Sequence, residues 1–287
     1  MKKYIRGFLM AWGNFSAIPC PYHKWHEDSR KAMLAMLPLV GLMLAVIVCA
    51  AWWLLDLIGV PAILTGAVLT ALYFIANGFI HLDGFMDCSD AILSRRPELE
   101  ERQRILKASD VGAFAVISVM LMSIIFAASM MTLAEDFSLE KAAILLITMM
   151  ISRAMAADHV GRKPAMKTSQ YADLGGSKCD NEADANSVSE KIGSEKKLSS
   201  WEQGVLTLMI VIPVLAAPRL VIGGGEGFPY LGVFSIVALI VLVAAMVAGR
   251  YAIKQLGGMN GDIAGYMVVM SETIGVLATA ILTSVLM

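Results

Sequence analysis

The sequence predicts an all-α fold, a polytopic integral membrane bundle of about seven transmembrane helices. Three observations carry that prediction. The 287 residues are 57% apolar and only 16% charged, far from the balance of a soluble domain. Apolar runs of about twenty residues, the length that crosses a ~30 Å hydrocarbon core, recur along the whole chain. Lys and Arg concentrate on alternate connections, the pattern of a membrane protein that keeps its basic residues on one side.

The elements follow in order. The start, MKKYIRGFLMAWGNFSAIPCP, is basic and has no small-residue cleavage site after a defined apolar core, so it is expected to stay in the mature protein. Spans are expected at roughly 33–55, 60–80, 111–133, 142–160, 204–222, 230–249 and 264–286. Two are the weakest, because Arg153 interrupts the fourth and Pro213 with Pro218 shortens the fifth. Of the 23 Lys and Arg, only Lys141 and Arg219 fall outside the amino-terminal segment and the connections 81–110, 153–200 and 250–262. The positive-inside rule therefore places the amino terminus and those connections in the cytoplasm. Trp52 and Trp53 then fall at the outer interface as belt residues. The whole chain, 1–287, reads as one membrane-embedded domain with cytoplasmic loops at about 81–110 and 161–203 and no internal repeat. Residues 167–200, rich in Ser, Gly, Lys and Asp, are expected to form a mobile loop on that side.

Several function classes drop out. A net charge of −1 gives no basic field for nucleic acid. Cys20, Cys49, Cys88 and Cys179 show no paired ligand spacing and read as free thiols. GGGEG at 223–227 lacks the Lys-Ser/Thr of a phosphate loop and reads as a turn. His23 and His26 flank Trp25 and fit interfacial polar residues.

The chemistry concentrates where the second apolar run ends. Asp83, Asp87 and Asp90 stand at i, i+4 and i+7, one narrow face of a helix. Three like charges at a membrane edge repel unless a cation lies among them, and a hard divalent ion is the natural partner. Each Asp alone could be an ordinary helix-end residue; the three together beside a histidine point to a site. Gly84 leaves the backbone open to close approach. His81 points elsewhere on a regular helix and reaches the site only if the helix starts or bends there. Arg95, Arg96, Arg102 and Arg104 follow on the same side, where they could hold phosphates or only solvate a helix. A second acidic knot, QLGGMNGDIAGYMVVMSE at 255–272, has Asp262 in a cap position after Gly261. Glu272 lies two to three turns inside the membrane, where an ionisable group is functional or paired, with Arg153 as the candidate partner.

These residues resemble the cobalamin synthase family, the adenosylcobinamide-GDP ribazoletransferases. GFIHLDGFMDCSDA reproduces the family's His-x-Asp-Gly-x-x-Asp-x-x-Asp at His81, Asp83, Gly84, Asp87 and Asp90. FSAIPCP with PLVG, RILKASDVGAFAV, and GGMNGDIAG with Glu272 resemble its other ordered motifs. Ala108 stands where the family usually carries Asp, and Asp110 follows two residues on. The resemblance implies an enzyme of cobalamin biosynthesis in the bacterial cell membrane, with its active site facing the cytoplasm. It would displace GMP from adenosylcobinamide-GDP with a ribose hydroxyl of α-ribazole or its 5′-phosphate. Mg2+ is the expected cofactor, on Asp83, Asp87, Asp90 and Asp262. His81 joins Asp83, Asp87 and Asp90 as catalytic residues, and Arg104, Asp110, Arg153, Gly261 and Glu272 are expected to bind substrate. The lipid bilayer is the other partner, and self-association into a homo-oligomer is left open.

Two other classes fit the composition. A CDP-alcohol phosphotransferase shares the membrane, the metal and the phosphoryl chemistry, but should show Asp-Gly-x-x-Ala-Arg, whereas FMDC follows Gly84. An ion-coupled carrier should hold carboxylates near the midplane with half-to-half symmetry, and only Glu272 is deep.

Overall fold

A computed structural model of the chain describes residues 2–166, 169, 198–221 and 228–286, with side chains left undescribed at Ser200, 212–221, 228–231 and Leu286. Its helices are α1 (Lys2–Phe15), α2 (Arg30–Leu57), α3 (Ala62–Ala76), α4 (Ile80–Leu93), α5 (Leu99–Leu106), α6 (Ala113–Leu133), α7 (Leu139–Arg162), α8 (Ser200–Val221), α9 (Phe228–Leu256) and α10 (Gly261–Leu286). The fold is all-α. Its one β feature among the described residues is an isolated bridge between Ala165 and Met259.

Among the described residues five helices are long and apolar enough to cross a bilayer: Glu27–Leu57, Ala113–Leu133, Leu139–Arg162, Gly232–Leu256 and Gly261–Val285. The expected span at 60–80 takes a different form. α3 has 15 residues, about 22 Å at 1.5 Å per residue, which falls short of the hydrocarbon core. The chain then turns by 87° into α4. Counting that bent pair as one broken span gives six crossing elements. The expected span at 204–222 coincides with α8, where the described apolar stretch is Trp201–Val211. Of the 167–200 loop, residues 167, 168 and 170–197, Cys179 among them, lie outside the described residues, as does GGGEG.

α7 is the central helix. It packs against α2, α8, α9 and α10, and Ile144, Leu145, Met149, Ile151, Ala154 and Ala157 along it are buried. α6 is peripheral. Phe114, Ile117, Met120, Leu121 and Ile124 stand exposed along it, as expected where the solvent is lipid rather than water. Trp53 is half exposed, but Trp52 is fully buried and meets Phe137 edge-on with centroids 5.2 Å apart, so only one of the two indoles can serve as a belt residue. Cys20, Cys49 and Cys88 are free and buried.

The basic connections meet at one end of the bundle. There Lys3 pairs with Glu202 at 3.3 Å. Arg102 donates to Gln255 at 2.6 Å, Gln103 to the Leu256 carbonyl at 2.8 Å, and the Met166 amide to Met259 at 3.0 Å. The last turn of α2 and the connection after α6 meet elsewhere, where the Phe137 amide donates to the Asp56 carboxylate at 3.3 Å. The carboxylate-bearing α4 and the start of α10 belong to the basic end.

Candidate functional site

The site begins at the corner between α3 and α4. Gly78 and Phe79 both take left-handed conformations, with φ of 65° and 59°. Phe79 carries a Cβ there and stores backbone strain of the kind found at functional sites. The corner is held from outside by the Ala17 amide, which donates to the Ala76 carbonyl at 2.9 Å. α4 starts immediately after it, which meets the condition under which His81 can reach the aspartates. His81 sits in the first turn, 7% exposed, with the Phe15 ring stacked over it at 6.3 Å.

α4 turns away from α3 by 87° and is not by itself among the five helices long and apolar enough to cross a bilayer. Asp83 is exposed, and Asp87 and Asp90 are half-buried. Burial first, then Asp83, Asp262 and Asp90 in that order, push the Asp87 carboxyl up to about 6. That ordering places Asp262 among its electrostatic neighbours. Burial, and then Arg153, bring His81 down to about 3, which keeps its ring neutral.

The two acidic segments meet at Gly84. A Cβ placed on Gly84 would lie 2.8 Å from both the Cα and the carbonyl oxygen of Asp262, so only glycine lets α4 and α10 approach this closely. Gly84→Ala should force the helices apart and cost roughly 1–3 kcal/mol, as overpacking does. Thermal unfolding of the detergent-solubilised variant, read beside its turnover, checks this; an unchanged melting temperature with full activity would show that the contact is soft.

Asp262 does not cap its own helix, contrary to the sequence expectation. Asn260 does so: its Oδ1 accepts from the Ile263 amide at 2.9 Å, and its Nδ2 donates to Asp262 Oδ2 at 2.6 Å. The Asp262 side chain is thereby free to face Asp83, and both line a cavity of about 100 Å3 with Phe15, Leu34, Leu37 and His81. A second cavity, of about 240 Å3, is lined by Gln103, Lys107, Asn260, Gly261 and Asp262. Asn260, Gln103 and Lys107 were missed in the sequence. The Asn-x-x cap signal was present for the first, whereas nothing local distinguishes Lys107 from the neighbouring arginines.

The remaining expected residues divide. The Asp90 carboxylate lies against Gly112 at the start of α6. Arg104 and Asp110 are exposed at the same end of the molecule. Arg153 and Glu272, expected as partners and among the substrate-binding residues, are fully buried as an ion pair, with side chains 0% and 1% exposed. Tyr73 and Ser152 also donate to Glu272, and Arg153 Nη2 donates to Asn77 Oδ1 at 2.7 Å. This network ties α3, α7 and α10 together and ends on Asn77, the residue that opens the corner. His23 and His26 lie away from it, with His26 against Tyr22.

The donor set suits a hard cation in kind, since Asp83 and Asp262 line one cavity and Asp87 lies within their electrostatic reach. Among the described residues, no three His, Cys, Asp or Glu side chains are gathered closely enough to hold an ion by themselves. Mg2+ characteristically takes one or two carboxylates and completes its six oxygens with water and substrate phosphates. The residues fit an ion shared with a phosphorylated substrate. They do not form a closed shell of four aspartates, because Asp90 is turned to Gly112.

A family profile described as cobalamin-5-phosphate synthase matches residues 7–280. The chain is 31% identical over 283 residues to an adenosylcobinamide-GDP ribazoletransferase of Clostridium botulinum (strain Eklund 17B / Type B), covering 99% of this chain and 100% of that one. A second of that name, from Clostridium botulinum (strain Alaska E43 / Type E3), is 30% identical with the same coverage. A third, from Clostridium perfringens (strain SM101 / Type A), is 29% identical over 98% of this chain and 100% of its own. No solved structure matches the chain significantly.

Proposed function

Because the chain belongs to the cobalamin-5-phosphate synthase family, we propose that it is an adenosylcobinamide-GDP ribazoletransferase acting in cobalamin synthesis. A ribose hydroxyl of α-ribazole, or of its 5′-phosphate, forms the new P–O bond. The phosphoanhydride bond to GMP breaks, and GMP leaves with that electron pair. The observation that carries this reading is the meeting of Asp83 and Asp262 across the α4–α10 contact, beside a buried histidine whose Nε2 has no partner.

Asp83, Asp87 and Asp262 would hold Mg2+, with Asp90 at the edge of the set, and the bound ion would neutralise the phosphate charge. The chain's own part is positioning. Neutral His81 offers Nε2 to the incoming hydroxyl, and a carboxylate not engaged on the ion takes its proton. Gly261 and the first turn of α10 bring backbone amides towards the phosphates. Arg104 and Asp110 stand exposed at the same end, where a nucleotide-activated substrate arrives from the cytoplasm. Clustering of the basic connections at this end supports a multi-pass protein of the bacterial cytoplasmic membrane with this face inward.

The test is direct. Purified protein supplied with adenosylcobinamide-GDP, α-ribazole and Mg2+ should release GMP in step with a new corrinoid product. Hydrolysis to GMP without a ribazole-containing corrinoid, or no GMP at all, contradicts the reading.

A further inference from the structure

Asp262 lines two cavities, one more polar than the other. The larger is polar, with Gln103, Lys107 and Asn260 in its wall. The smaller lies behind Asp83 and is walled by Phe15, Leu34, Leu37 and Val160. His81 also lines it, and its Nε2 is buried without a hydrogen-bond partner. A polar atom left so is destabilising, which a ligand hydroxyl would offset.

The two nucleosides of the proposed reaction differ in the same sense as the two cavities. The guanosine end is polar and phosphorylated. Ribazole carries a dimethylated benzimidazole, flat and apolar, with no exocyclic donor or acceptor. We propose that the apolar cavity is the ribazole subsite, with the base against Leu34, Leu37 and Phe15 and the attacking hydroxyl at His81 Nε2. The guanosine phosphate end enters from the polar cavity, and the reacting phosphorus lies at the Asp83–Asp262 rim. In-line displacement requires the attacking hydroxyl and the departing GMP on opposite sides of that phosphorus, and two separate subsites meeting at Asp262 allow it. The cavity, about 100 Å3, is smaller than the ~150 Å3 apolar void that holds a benzene, so it takes the dimethylated edge of the base and leaves the rest at its mouth.

This assignment rests on the ribazoletransferase reading, and steady-state kinetics of the full chain in lipid nanodiscs separate the two. In the wild type, 5,6-dimethylbenzimidazole alone should inhibit competitively against α-ribazole and not against adenosylcobinamide-GDP. Leu37→Phe should raise KM for α-ribazole about tenfold, the scale of a small steric change in an apolar pocket, with KM for adenosylcobinamide-GDP within about twofold. Leu37→Ala should shift preference about tenfold towards the riboside of a larger naphthimidazole. Competition of the free base against adenosylcobinamide-GDP, or variants that move both KM values together and leave base preference unchanged, overturn the assignment while the enzyme reading stands. A wild type that releases no GMP from adenosylcobinamide-GDP overturns the enzyme reading itself, and the subsite with it.

Discussion

Asp83→Asn is expected to lower turnover by about 10²–10³-fold or more, the range seen when one group that stabilises a transition-state charge is removed. Membrane insertion and melting temperature should stay unchanged. Asp83 is exposed, its amide alone donates, to the Phe79 carbonyl, and among the described residues its carboxylate takes no hydrogen bond, so the carboxylate is free to serve the reaction. The amide keeps the shape but loses the charge, and phosphoryl transfer depends on positioning and charge neutralisation more than on any covalent step by the protein. GMP release at saturating substrate, measured on protein matched to wild type by gel filtration, is the readout. Activity within about threefold of wild type would remove Asp83 from the site.

Arg153→Met should have the largest effect on stability. It leaves Glu272 buried without its cation between α7 and α10, and breaking such a pair from one side costs about 3–5 kcal/mol. The double variant Arg153→Met/Glu272→Met should regain most of that, because the desolvation of both charges disappears with the pair. Thermal unfolding in detergent distinguishes these outcomes. A single variant as stable as wild type would mean that Tyr73 and Ser152 alone satisfy Glu272. Activity in the double variant is expected to stay low even so, because Asn77 loses the Arg153 hydrogen bond that steadies the α3–α4 corner.

The architecture was legible where physics is local. Run length and the placement of Lys and Arg identified the bundle and the end at which the site lies, and the i, i+4, i+7 spacing put the three aspartates on one face. What depends on distant contacts was not legible. The apolar run at 60–80 gave no sign of the left-handed corner at Gly78 and Phe79, since that conformation is held by Ala17 from another segment. Asp262 looked like a cap because Asp favours such positions, yet Asn260 two residues earlier takes the role and turns Asp262 towards Asp83. Arg153 and Glu272 were paired correctly from depth alone, while their place among substrate contacts followed from motif order and not from burial.

The central claim is that α4 and α10 build one cation and phosphate site through Asp83 and Asp262. The most direct measurement is the Mg2+ concentration for half-maximal GMP release in Asp262→Asn beside wild type, with Mn2+ binding followed by electron paramagnetic resonance on the same preparations. The account predicts that Asp262→Asn needs at least about tenfold more Mg2+, a loss of roughly 1.4 kcal/mol, and binds Mn2+ correspondingly more weakly. An unchanged Mg2+ dependence with unchanged Mn2+ affinity would contradict it and leave Asp262 as no more than the hydrogen-bond partner of Asn260.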